Sequence, residues 1–187
     1  MKIRCLFYKA KWDGHLLDDA ISFWTGIFNW GTGPYSHAEI WKPDEHGDFD
    51  APYGSVHCSK PITYLGTCYT STMRDDVNGV VKRPAAQVLR HPSRWHYAEI
   101  EISEAEFRLM TEFLEMWVER NPGYDILCII SFFMPWRWFK GEKFICSEFV
   151  YFALVYAGVF KTLRCPSPRR LSRWLVDKGY KITSLGE

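Results

Sequence analysis

The spacing of apolar positions changes period several times along the chain, and each change predicts an element. Residues 2–8 read as a first strand. Leu17, Ala20, Ile21, Trp24 and the Ile27/Phe28 pair then recur at helical spacing, predicting a helix over 16–28 with Asp13 in range to cap it. The Gly- and Pro-bearing stretch 29–34 is a turn region. Residues 35–41 alternate, so that His37, Glu39 and Trp41 share one strand face and Ala38 and Ile40 the other. The polar run 42–52 predicts a hairpin loop or a longer excursion. Further strands are expected at 56–58 and 66–72, with Cys68, Thr70 and Thr72 facing one way and Tyr69, Ser71 and Met73 the other. A turn at 75–79 leads into 80–82, and 84–92 reads as a connector before a strand over 95–102.

Ser103 followed three residues later by Glu106 is a capping box, opening a helix that runs to about Arg120 and stops before Asn121-Pro122-Gly123. Residues 124–133 predict a short buried helix, and 134–141 a loop of aromatic and basic residues. Phe149, Phe152, Ala153, Tyr156 and Ala157 return to helical spacing with Gly158 as the stop, so a buried helix begins near Cys146. Ser167 caps a last helix with Pro168 in its first turn and Leu171, Trp174 and Leu175 on its inner face. Residues 180–182 return as an edge strand. The order predicts an α+β fold, a central antiparallel sheet with the Cys146 helix packed on it.

At 187 residues and 47% hydrophobic content, the chain suits one domain, 1–187, with a core of its own. Charge narrows the function classes: 23 basic residues against 22 acidic ones disfavour a nucleic-acid binder that works by neutralising phosphates, although basic residues cluster between Arg164 and Arg173. The six cysteines have no CxxC pairing, so neither a metal site nor a disulfide framework is indicated, and reduced thiols in a cytoplasm are expected. The basic amino terminus is interrupted by Lys9 and Lys11 before it reaches signal-peptide length, which again predicts a cytoplasmic protein. The longest apolar run, 126–136, is too short to span a bilayer. The 17% aromatic content suits a core, or a carbohydrate or lipid surface.

The chemistry concentrates at Cys146. A thiol in the first turn of a helix faces unpaired backbone N–H groups and the positive end of the helix dipole, which favour a thiolate and a developing oxyanion. The alternative is a small buried residue without chemistry. His37, at a strand start after a Gly-rich loop, is positioned to reach a site, or to serve the strand as a structural hydrogen-bonding group.

Taken together, Ser36-His37-Ala38-Glu39-Ile40, the strand 68–72 with 75–80, Gly123-Tyr124-Asp125 and Phe144-Ile145-Cys146-Ser147-Glu148 resemble the NlpC-type papain-like cysteine peptidase superfamily in its circularly permuted form. Order carries the resemblance, because the histidine here precedes the cysteine. The likeness implies Cys146 as nucleophile and His37 as its general base, with a third polar group on the strand after the histidine strand. That position is Thr70, beside Ser71, where many members carry a stronger acceptor. Glu39 is the alternative orienting group, or else a solvated strand carboxylate. Tyr124 and Ser36 are the implied substrate-binding residues, and backbone N–H groups at the Cys146 helix start supply the oxyanion hole. No metal or organic cofactor is implied.

The expected activity is hydrolysis of an amide or isopeptide bond, a cell-wall peptide for example, through a Cys146 thioacyl intermediate. A second expectation keeps the dyad but gives it a lipid acyl group, with the segment Phe132 to Lys140, whose bulky apolar residues stand beside Arg137 and Lys140, at a membrane surface or in a greasy pocket. A third is a non-catalytic binding protein on the same fold. The partners expected are a peptide or lipid-like substrate, with no nucleic acid and no transmembrane segment.

Overall fold

The computed structural model describes residues 1–9, 35–51, 63–73, 77–125, 143–162, 164 and 166–186. Its frame is a six-stranded antiparallel sheet in the order β6-β5-β2-β1-β7-β8. The strands are β1 (Lys2–Lys9), β2 (Tyr35–Lys42), β5 (Thr67–Thr72), β6 (Gly79–Pro84), β7 (Trp95–Glu101) and β8 (Ile182–Ser184). A separate two-stranded ribbon pairs β3 (Asp50–Ala51) with β4 (Thr63–Tyr64). The polar run after β2 thus leaves the main sheet as a longer excursion, one of the two forms its composition predicts. Asp44 closes it by accepting backbone N–H groups from His46 (3.0 Å) and Asp48 (2.8 Å), which is the reason for an Asp at such a turn.

Four α-helices lie among the described residues: α1 (Ala85–Val88), α2 (Glu104–Arg120), α3 (Cys146–Tyr156) and α4 (Pro168–Asp177). Helices α2, α3 and α4 pack one face of the sheet, where Ile3, Cys5, Ala38, Ile40, Tyr69 and Val80 meet Met110, Leu114, Phe149, Leu154, Leu171 and Leu175. The other face holds a smaller cluster of Leu6, Trp41, Phe49, Cys68, Ala85, Leu89 and Trp95. Apolar burial on both faces explains why every residue of β2 but Lys42 is buried, including three with polar side chains, Ser36, His37 and Glu39. Buried polar groups need partners, and those of β2 define the site described below.

The capping box forms as the sequence predicts: Glu106 donates its backbone N–H to Ser103 Oγ (3.2 Å), and Ser103 returns its own to Glu106 Oε2 (2.8 Å). Replacing Ser103 with Ala is expected to lower stability by about 1 kcal/mol, read from urea unfolding, and to leave Cys146 reactivity unchanged. At the other end of α2, Asn121 takes a left-handed conformation and its Oδ1 accepts from Val80 N at 3.1 Å. A side chain on Gly79, whose φ is +127°, would run into that Asn121 oxygen and the backbone of Gly123. Helix α2 is in this way clamped to the start of β6.

Two sequence expectations are corrected. The connector at 84–92 contains a helical turn, α1, followed by a 3₁₀ turn at Pro92–Arg94. Four residues are too few for helical periodicity to register, and it is burial of Ala85 and Leu89 against the second core that holds them. The edge strand forms two residues later than predicted, at Ile182–Ser184, because Lys178 to Tyr180 are spent closing α4 through bonds back to Trp174, Leu175 and Val176. The predicted helix over 16–28, the turn at 29–34, the strand at 56–58, residues 126–133 of the predicted helix and the loop at 134–141 lie outside the described residues.

Candidate active site

The site gathers on β2, β5 and the start of α3. Trp41 pairs with Cys68 across β2 and β5, and alternation back along both strands brings Glu39 beside Thr70. The β1–β2 register slips by one residue, Tyr8 lying opposite His37 but Lys9 opposite Tyr35, so Ser36 is the extra residue of a bulge. Such a bulge re-aims the side chains next to it. Here it returns Tyr35 to the core of Ala38 and Ile40 and leaves His37 on the face of Glu39.

His37 is the hub. Its Nε2 lies 3.1 Å from Glu39 Oε1 and 3.3 Å from Thr70 Oγ1, and the ring is also hydrogen-bonded to the Cys146 thiol. With Nε2 engaged by the two oxygens, Nδ1 is the ring nitrogen available to sulfur. Thr70 Oγ1 also lies 3.0 Å from the Ala38 carbonyl, to which it donates, and so it accepts from His37. Burial by itself lowers the pKa of His37, but the charge and hydrogen bond of Cys146, followed by the hydrogen bond and charge of Glu39, reverse this and raise it to about 9. Both acids therefore favour the protonated form of the ring.

Glu39 is 5% exposed, so its reading as a solvated strand carboxylate does not hold. It and Thr70 contact the same ring nitrogen, and the carboxylate is the stronger acceptor for an imidazolium.

Cys146 itself is 4% exposed, in the first turn of α3. The N-cap residue, Ile145, has no side chain able to cap, which leaves first-turn N–H groups unclaimed by a cap. Flanking residues are fixed on both sides. The Phe144 carbonyl accepts from Ser71 Oγ (2.7 Å) and Asp125 N (3.1 Å), while Ser147 Oγ donates to the Pro166 carbonyl (2.6 Å). Sequence reasoning did not find these supports, although the resemblance touched Ser71 and Asp125. Ser71 holds the nucleophile segment and makes no hydrogen bond to His37 among the described residues.

Tyr124 forms a parallel bridge with Phe144, two residues before the cysteine, and donates its backbone N–H to Asn78 Oδ1 at 2.9 Å. Its segment is thereby beside the site. Ser36 is buried, and its Oγ has no hydrogen-bond partner among the described residues. The other described cysteines differ in kind from Cys146. Burial raises the pKa of Cys5; at Cys68 burial and then the Glu39 charge do the same, so both stay protonated.

Chemically, the arrangement offers a thiol that can give its proton to an imidazole, an acceptor pair that fixes the ring, and a helix start facing the sulfur. Among the described residues, no group of three or more His, Cys, Asp and Glu side chains gathers as a metal site, and no helix is long and apolar enough to cross a membrane. In comparisons with known proteins, no family model, no curated protein and no solved structure matches the chain.

Proposed function

We propose that the protein is a cysteine hydrolase of the permuted NlpC-type papain-like kind, cleaving an amide or isopeptide bond through a Cys146 thioacyl intermediate. The observation that carries this reading is the hydrogen-bonded chain Cys146–His37–Glu39, with Thr70 on the same ring nitrogen. In it, the Cys146 thiolate attacks the carbonyl carbon, and the oxyanion forms at the N–H groups of the α3 first turn. The His37 imidazolium donates its proton to the departing amine, then takes one from the water that releases the acyl group. Glu39 keeps the ring charged and aligned. The Tyr124 segment borders the same place.

The test is intact-mass detection of a covalent adduct with activated acyl esters and with a panel of cell-wall peptides and lipid esters. A mass gain on Cys146, absent in Cys146→Ala, is the expected result, and its preference between amide and lipid ester separates the peptidase from the acyl-lipid reading. Glu39→Gln should slow acylation by about 10²-fold and move the pH profile, whereas Thr70→Val should cost less, because only the former removes a charge from beside the imidazolium. A second reading, a binding protein without catalysis, draws on the 4% exposure of Cys146. No adduct with any of these reagents would favour it.

A further inference from the structure

The basic cluster between Arg164 and Arg173 plays no part in the chemistry above, yet its arrangement is unusual for a helix start. The stretch 161–173 contains Lys161, Arg164, Arg169, Arg170 and Arg173 and no acidic residue. Arg169 and Arg170 occupy the first turn of α4, where the helix dipole disfavours cations and where no acid is present; Arg169 is buried with contacts inside the molecule, whereas Arg170 is exposed. A local rule broken in this way marks a position held for another reason.

Lys161, Arg164, Arg170, Arg173 and Lys178 are exposed. Three of them lie over aromatic rings: Arg164 and Arg170 over the half-buried Trp174 at 5.7 and 5.2 Å, and Lys178 over the buried Phe160 at 5.3 Å. Beneath them Trp174 packs on Tyr151 and Phe160, and Leu171 and Leu175 are buried. Among the described residues, none of the five cations is engaged in an ion pair. Asp177, the last residue of α4, is the sole acid on that helix.

From this we infer that the outer face of α4, with Arg164 and Lys161 beside it, docks on an anionic phospholipid surface. Clustered Lys and Arg on an amphipathic helix answer the negative potential of such a membrane, and guanidinium groups match phosphate oxygens. The apolar side of α4 is committed to the core, so attachment is electrostatic and does not insert the helix. A nucleic acid fits less well. Single strands bind by stacking bases on open aromatic faces, and Trp174 is covered by two guanidinium groups and flanked by Tyr151 and Phe160. Because Ser147 Oγ bonds to the Pro166 carbonyl, two residues before α4, docking on this face would hold the start of α3 near the membrane. The inference does not depend on the chemistry of Cys146.

The experiment is vesicle co-sedimentation of the full chain with phosphatidylcholine vesicles carrying 0 or 30 mol% phosphatidylserine, at about 0.05 M and about 0.3 M salt. Expected is binding to the phosphatidylserine vesicles at low salt, release at high salt, and no binding to neutral ones. Arg173→Gln and Arg164→Gln should each weaken binding by roughly five-fold, and the pair by more, while the control Arg108→Gln on α2 should not. Unchanged circular dichroism and unfolding midpoint keep these losses assignable to charge, and the two variants sit on separate segments. Equal binding to neutral vesicles, no binding at low salt, or insensitivity to both substitutions overturns the inference. So does salt-dependent binding of a labelled 30-mer oligonucleotide without vesicle binding, which would assign the face to nucleic acid.

Discussion

Iodoacetamide labelling of Cys146 in the native protein is expected to remain fast well below the ordinary thiol range, and to fall by about a hundredfold at pH 6 in His37→Ala. The sign follows from the shift at His37. Its pKa is raised from 6.5 to about 9, burial opposing and Cys146 and then Glu39 prevailing, so below about 9 the ring carries the proton and the sulfur has a counter-charge. As pH rises through about 9 the imidazolium loses that proton, and the rates of native protein and variant should converge. Without His37 the thiolate has only the helix start to favour it. Cys5 and Cys68 serve as internal controls, because burial keeps both thiols protonated and they should stay unlabelled in either protein. Mass-spectrometric location of the adduct makes the comparison specific. Slow labelling of folded protein, indifferent to His37, would sink the hydrolase reading and leave the binding protein.

The largest loss of stability is expected from Phe149→Ala, about 3–5 kcal/mol by urea unfolding, which is a large part of what a domain of this size possesses. Phe149 is fully buried, with Phe113 of α2 at 5.7 Å between ring centroids and Phe144 at 5.8 Å. Phe144 in turn meets the Trp117 ring at 4.7 Å. Truncation therefore opens a cavity between α2, α3 and the segment that precedes the nucleophile. Labelling of Cys146 should slow as well, because the Phe144 carbonyl held by Ser71 and Asp125 belongs to that segment. A cost below about 1 kcal/mol would mean that the cavity collapses, and that the aromatic cluster is not what fixes α3 against α2.

Much of this arrangement was legible in the chain, and much was not, for identifiable reasons. Strong local signals survived folding. The alternation of 35–41 became β2, Ser103 and Glu106 closed their capping box, Ser167 and Pro168 opened α4, and Gly158, with φ of +71°, ended the helix that starts at Cys146. Each rests on interactions within a few residues, so the amino-acid order is enough to specify it. Helix α1 has no local signal and exists by contact with Leu89, Trp95 and their neighbours.

At the site the same division holds. The types and order of residues singled out His37 and Cys146 as a candidate pair, because a thiol at a helix start and a histidine at a strand start can be recognised in a linear chain. What only the tertiary structure decided is which side chains answer them. The bulge at Ser36, a property of how β1 and β2 pair, sets the direction of His37. Burial of β2 on both faces turns Glu39 from a carboxylate that water would solvate into one that must find a cation, and His37 lies within reach. Thr70, a weak acceptor in the sequence, becomes a second contact on the same nitrogen because the β2–β5 register brings it there. Ser71, its neighbour in the chain, faces the opposite way and holds the nucleophile segment through the Phe144 carbonyl. A sequence determines which groups are available, but the register and burial that pair them are sums over contacts far apart in the chain.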